Sequence, residues 1–200
     1  MECVSAPDFE KGALELFKDR EDVTCLKIPS LLMSANESES FSISGGLLLQ
    51  EKDVLDPMKD CKTVTSRKPS IEELRSLKCA AAVSKHLRTY SSLVFGGNRT
   101  VAVSASQPSV YDSVKVLVGK IKYKNPLVKI QGAALAASRV RGQALAVNGA
   151  LNLKAISEIS GFGISAIVQP GNWVEDAECV KFCNERNIAM VFTSHRHFRH

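Results

Sequence analysis

Long apolar runs are missing from this chain. No stretch of its 200 residues approaches the roughly 18 unbroken apolar residues of a membrane-spanning helix, because each candidate is interrupted by Lys, Arg or Ser. Charge of one sign is scarce as well: 26 Lys plus Arg stand against 21 Asp plus Glu, a net of +5. So small an excess, with no basic stripe interleaved with aromatics, argues against a nucleic-acid partner. The opening Met-Glu-Cys-Val-Ser-Ala-Pro carries neither the basic cluster nor the apolar run of a secretory signal. These absences predict a cytosolic chain that engages neither membrane nor nucleic acid. With 44% apolar and 24% charged residues, the chain is too hydrophobic to be disordered. Its length suits one core, so a single domain over residues 1–200 is expected.

The six cysteines (Cys3, Cys25, Cys61, Cys79, Cys179 and Cys183) are widely spread. In a cytosolic setting they read as reduced thiols acting as small hydrophobes. Cys179 and Cys183, four apart on a predicted helix, could share a metal with His195 and His197, but the spacing matches no zinc ribbon or finger. No metal is expected. The most unusual chemistry is the cluster His195-Arg196-His197-Phe198-Arg199-His200.

Local pattern alternates between strands and helices. Ser5-Ala6-Pro7 reads as a strand end, residues 9–18 as a short helix, 23–28 as a strand and the polar residues 34–42 as a loop. Gly45-Gly46 precedes an apolar strand, and residues 53–67 look irregular. Ser70 with Glu73 forms a capping box after Pro69, starting a helix to about Arg88 that buries Leu74, Leu77, Ala81 and Val83. Residues 92–95 and 100–104 flank Gly96-Gly97-Asn98-Arg99 as a hairpin. A helix is expected over 112–120, and the Ala-rich residues 132–147 read as a helix or helix pair. A strand over 164–168, a turn at 169–172, a helix over 174–186 facing Val174, Ala177, Val180 and Phe182 or Cys183 inward, and a strand over 188–192 complete the pattern. Such alternation predicts a three-layer α/β domain with a mixed sheet.

Three segments, Ile167-Val168-Gln169-Pro170-Gly171, Ile188-Ala189-Met190-Val191-Phe192-Thr193 and Arg196-His197-Phe198-Arg199-His200, closely resemble the carboxyl end of one family. That family is the bifunctional purine biosynthesis protein, which joins an AICAR transformylase (phosphoribosylaminoimidazolecarboxamide formyltransferase) to an IMP cyclohydrolase. Gly45-Gly46-Leu47-Leu48-Leu49-Gln50, Pro69-Ser70-Ile71-Glu72-Glu73-Leu74 and Ser106-Gln107-Pro108-Ser109 with Asp112-Ser113 extend the likeness backwards, as does Ala6-Pro7-Asp8-Phe9. The resemblance runs over essentially the whole chain and implies the second, cytidine deaminase-like half of the formyltransferase region.

The resemblance implies formyl transfer from 10-formyltetrahydrofolate to the amine of the AICAR ribonucleotide. Such a reaction needs an anchor for the phosphate, a proton acceptor and a cleft shaped for a pterin. By resemblance, Arg196, Phe198, His200, Lys85 and Gln107 are implied substrate contacts, and Gly171, Asn172 and Trp173 line the folate. The family's Lys-x-His motif lies in a first half without counterpart here, so no residue of this chain is expected to be catalytic. Tyr90 and Val110 stand where the family carries an Asn and a nucleotide-binding Arg, and Trp173 replaces a small turn residue. The expectation is a family member incomplete on its own, working as a homodimer or with a complementary half. The alternative is a degenerate, non-catalytic module for dimerisation or ligand binding.

Overall fold

A computed structural model describes residues 3–29, 38–124 and 143–199. The chain divides into two compact units, Met1–Asp53 and Val54–His200.

In the first unit β1 (Cys3–Ala6) and β2 (Thr24–Lys27) pair in parallel and are joined through α1 (Lys11–Phe17). Parallel neighbours need a crossover rather than a tight turn, and the helix supplies it. All three elements lie where the sequence pattern placed them. β3 (Ser38–Ile43) and β4 (Gly46–Glu51) form an antiparallel hairpin with Gly45 at φ +80° in its turn, a backbone region that favours glycine. The first arm corrects the loop expected over 34–42: residues 38–42 are strand, and 34–37 lie outside the described residues. The ladder to β4 pairs the backbone groups on one edge of this arm, so long-range pairing rather than apolar alternation makes it a strand.

The second unit holds a mixed six-stranded sheet in the order β5-β10-β9-β8-β6-β7. β8 (Gln143–Val147), β9 (Ile164–Gln169) and β10 (Ala189–Phe192) are mutually parallel. β5 (Lys62–Thr63), β6 (Ser92–Gly96) and β7 (Arg99–Ser104) run antiparallel to their neighbours. The expected hairpin turn sets Gly97 and Asn98 at φ +58° and +59°, matching the twist of its strands. The helices are α2 (Ile71–Lys85), α3 (Val110–Lys124), α4 (Leu153–Ser160) and α5 (Asp176–Glu185).

Successive strand residues point to opposite faces, and here the faces differ in size. Leu93, Phe95, Ala144, Ala146, Ala166, Val168, Ala189 and Val191 cluster with Leu77, Ala80 and Ala81 of α2. Val94, Leu145, Ile167 and Met190 cluster instead with Val114 and Leu117 of α3, Ile156 and Ile159 of α4, and Cys179 and Cys183 of α5. The α2 face is built largely from alanines, the other from branched and long side chains. Burial on both faces explains one correction. Residues 143–147 form a fully buried strand rather than part of an Ala-rich helix, because a central parallel strand needs no polar alternation; residues 132–142 lie outside the described residues.

The capping box is as expected: Ser70 Oγ accepts from the Glu73 amide at 3.2 Å, and the Glu73 carboxylate accepts from the Ser70 amide at 2.8 Å. α2 nevertheless ends at Lys85, and Leu74 and Val83 are only half-buried. α5 corrects the face assigned to residues 174–186. Val174 is 93% exposed and Ala177 is exposed, whereas Cys179 and Cys183 face inward. Because the helix starts at Asp176, its inward stripe begins later than a start at Val174 implies. α4 was not expected at all.

Candidate ligand-binding cleft

Short local signals start three helices of the second unit and place their first residues together. Ser109 Oγ accepts from the Asp112 amide at 3.0 Å and donates to Asp112 Oδ2 at 2.7 Å, fixing the start of α3. Asn152 Oδ1 accepts from the Ala155 amide at 2.8 Å and caps α4. Asp176 Oδ2 accepts from the Trp173 amide at 2.9 Å just before α5. At α3 and α4 the side-chain oxygen satisfies an amide that the helix end leaves without an intrahelical partner, whereas the Trp173 amide lies ahead of α5, whose start has no side-chain cap. The residues at these three starts line a cleft of about 280 Å³, closed by Tyr90 ahead of β6 and Arg196 beyond β10.

The floor is apolar and crowded. A Cβ on Gly149 would come within 2.6 Å of Val110 Cγ2 and 2.9 Å of Tyr90 Cδ1, so Tyr90 and Val110 press on bare backbone there. The tail that carries Arg196 is tied down at both ends. The Thr193 amide donates to the Gln169 carbonyl at 3.0 Å. Farther on, the Thr89 amide donates to the Arg199 carbonyl at 2.9 Å, and the Arg199 amide to Thr89 Oγ1 at 3.0 Å. Between these ties the Arg196 guanidinium sits 4.2 Å from the centre of the Phe198 ring and 5.9 Å from that of Tyr90, within reach of cation–π attraction. Opposite in charge, Glu175 also lines the cleft, and its Oε2 accepts from the Leu153 amide at 3.0 Å. Trp173, half-exposed, is carried by a turn whose Gly171 has φ +73° and would drive a Cβ to 2.6 Å from the Phe192 ring.

The residues singled out from the sequence are distributed as follows. Arg196 and Trp173 border the cleft together, and Phe198 supports Arg196. Gln107 lies one step back, exchanging backbone hydrogen bonds of 3.2 Å with Tyr90, and its side chain donates to the Ala105 carbonyl at 2.9 Å. Gly171 and Asn172, both at positive φ, shape the turn that presents Trp173. Lys85 is not among the described lining residues; its Nζ donates to the Leu55 carbonyl at 2.6 Å. His200 lies outside the described residues. Asn152, Glu175 and Tyr111 were not singled out as site residues from the sequence. The pattern Ser109-x-x-Asp112, and an Asn just ahead of apolar positions 153, 156 and 159, are the start signals that could have found two of the three helix ends.

A second, smaller cavity of about 20 Å³ lies where β8 and β9 end and the chain leaves β10. Ser84, Asn148, Gln169, Thr193, His195 and His197 supply its polar lining. Its volume is that of one water. Among the described residues no three His, Cys, Asp or Glu side chains gather as a metal site. Cys179 and Cys183 are buried in α5, and burial, reinforced for Cys179 by the charge of Glu175, pushes both thiols up to about 12. Among the described residues no helix is long and apolar enough to cross a membrane.

Fold and cleft define an α/β protein with a crevice built at helix starts beside a mixed sheet. A family model described as AICARFT/IMPCHase bienzyme matches residues 1–120, and the chain belongs to that family. Among its relatives is the bifunctional purine biosynthesis protein PurH of Lactobacillus delbrueckii subsp. bulgaricus. It is 36% identical over 205 residues, a match covering 100% of this chain and 37% of the relative. The protein of the same name from Prochlorococcus marinus is 32% identical over 203 residues, covering 100% of this chain and 36% of the relative. That from Elusimicrobium minutum is 36% identical over 208 residues, with 100% and 37% covered. The chain thus spans little more than a third of the length of these relatives.

Proposed function

We propose that this chain serves the formyltransferase side of purine biosynthesis as a substrate-binding component. It contributes one wall of the site at which 10-formyltetrahydrofolate meets an aminoimidazole-carboxamide acceptor, which resemblance makes the AICAR ribonucleotide. One observation carries this reading: Arg196, stacked on Phe198, and Trp173 border a single cleft although they come from separate segments. Helices against both faces of a mixed sheet suit a three-layer, cytidine deaminase-like unit. The groups that perform the transfer lie outside this chain, which works in the cytosol as a homodimer or with a complementary half.

A specific observation favours a second reading, a degenerate binding module. Tyr90 and Val110 close over Gly149 where the resemblance places an Asn and an Arg. Losing one preorganised donor typically costs about 10²–10³ in rate. Calorimetric titration of the full chain with aminoimidazole carboxamide ribonucleotide, its riboside and a reduced folate tests both readings. Binding of at least one ligand is expected, with loss in Arg196→Ala and no formyl transfer by the chain alone. Turnover by the isolated chain overturns the assignment as a binding component, and undiminished binding by Arg196→Ala removes the cleft from it.

A further inference from the structure

We propose that Thr89 is a positioning residue for the cleft: its hydroxyl fixes where Arg196 stands relative to Tyr90, and with it the affinity for the ribonucleotide. The inference rests on Arg196 binding that ligand. Thr89 itself is not among the described lining residues. It lies one residue before Tyr90, which is, and it grips the tail three residues beyond Arg196. The Thr89 amide donates to the Arg199 carbonyl at 2.9 Å, and Thr89 Oγ1 accepts from the Arg199 amide at 3.0 Å. At its other end the tail is held by backbone alone: the Thr193 amide on the Gln169 carbonyl at 3.0 Å, and the Ser194 amide on the Pro170 carbonyl at 2.9 Å. An arginine side chain has many rotamers and loses entropy when fixed, so what it reaches depends on where these anchors hold its backbone.

Asn148, 4% exposed just beyond β8, orients the Thr89 hydroxyl. The Ser91 amide can only donate, so the Asn148 atom 2.7 Å from it is the carbonyl Oδ1. That turns Nδ2 towards the Leu87 carbonyl and Thr89 Oγ1, each at 3.4 Å. Asn148 therefore grips the chain on both sides of Tyr90, at Thr89 and at Ser91. Two N–H groups, from Asn148 and Arg199, converge on the Thr89 oxygen and make it an acceptor. A methyl in its place leaves both donors facing hydrocarbon. The rings of Phe198 and Tyr90 border the Arg196 guanidinium at 4.2 and 5.9 Å. Each ring is next in sequence to one half of the Thr89–Arg199 clasp, so loosening the clasp shifts both walls against the cation between them.

The test is calorimetry on the full chain with aminoimidazole carboxamide ribonucleotide, in the wild type, Thr89→Val, Thr89→Ser and Arg196→Ala, with hydrogen exchange of the Arg199 amide followed alongside. Valine keeps the shape of threonine and the backbone bond from residue 89, whereas serine keeps the hydroxyl. T89V should bind about tenfold more weakly, the scale of one or two lost hydrogen bonds, while T89S stays within about threefold of the wild type. The Arg199 amide should exchange several times faster in T89V but not in T89S, with residues 77–81 of α2 unchanged, because the loosening is local. Thr89→Ala serves as a second variant and should follow T89V in both readouts. T89S as weak as T89V, or exchange that quickens equally in α2, overturns the proposal. Binding weakened in Arg196→Ala but intact in T89V removes Thr89 and leaves the ligand site standing. If the wild type does not bind the ribonucleotide, or Arg196→Ala binds it equally well, the ligand-site reading falls and this inference with it.

Discussion

Replacing Arg67 by methionine probes the clasp that ties the segment ahead of α2 to the rest of the second unit. The guanidinium donates to both Glu73 carboxylate oxygens at 2.8 and 3.0 Å and to the Asn187 carbonyl at 2.8 Å. It donates as well to the Ser165 carbonyl. Glu73 has a side chain only 8% exposed, against 25% for Arg67. Methionine fills much of the arginine's volume yet leaves a shielded carboxylate without its cation. Stranding one member of a buried pair costs about 3–5 kcal/mol, and the partial exposure of Arg67 argues for the lower end, about 3 kcal/mol. In a unit of this size that is a fall of about 10 °C in melting temperature.

The pH dependence of this loss follows from Glu73. Burial pushes its carboxyl up, but the hydrogen bonds from Arg67 and the Ser70 amide outweigh burial and hold it below the usual carboxylate range. A group whose folded pKa is depressed stabilises the fold at neutral pH, and that contribution disappears as pH falls through the folded value. The gap between wild type and R67M should therefore be wide at neutral pH and narrow in acid. Removing the stranded charge as well, in R67M/E73M, should recover most of the loss. Urea unfolding followed by circular dichroism measures each quantity. A neutral-pH loss for R67M below about 1 kcal/mol, the level of an exposed ion pair, or a gap that does not shrink in acid, refutes the reasoning.

Gly149→Ala should cost about 1–3 kcal/mol through overpacking, since its new methyl collides with Val110 and Tyr90; adding Val110→Ala should restore part of it, and equal melting temperatures for G149A and wild type would count against the crowded floor. Cys179 and Cys183, buried with thiols pushed up to about 12, should resist alkylation in the folded chain while the exposed Cys3 and Cys79 react; mass spectrometry showing Cys179 labelled before Cys79 contradicts this.

Elements announced by a local signal were legible in the sequence. The capping box at Ser70 and the turn at Gly97-Asn98 act within a few residues, so no tertiary information was needed to place α2 or the β6–β7 hairpin. Where long-range pairing decides the state, local reading failed. Gln143–Val147 has the composition of a helix, and burial between β6 and β9 makes it a strand. Ser38–Ile43 looks like a polar loop, and its ladder to β4 makes it a hairpin arm. The candidate site was half legible for the same reason. Arg196 and Trp173 could be singled out because they sit in or beside motifs that carry the resemblance. Glu175 carries no motif, and its importance comes from the Leu153 amide 22 residues away in the chain.

The unequal faces of the central sheet set the direction in which this protein can drift. Opposite α2, Ala144, Ala166 and Ala189 are fully buried against the helix and leave little room for growth. An added methylene there wedges helix from sheet, so this face excludes enlargement. On the other face Leu145, Ile167 and Met190 are filled to their limit, and what harms them is loss, since each missing methyl leaves a void. Descendants of this chain should therefore vary by exchange of shape at constant volume beneath α3, α4 and α5. Beneath α2 they should hardly vary at all, and alanine there records a distance between two backbones rather than a preference for any side chain.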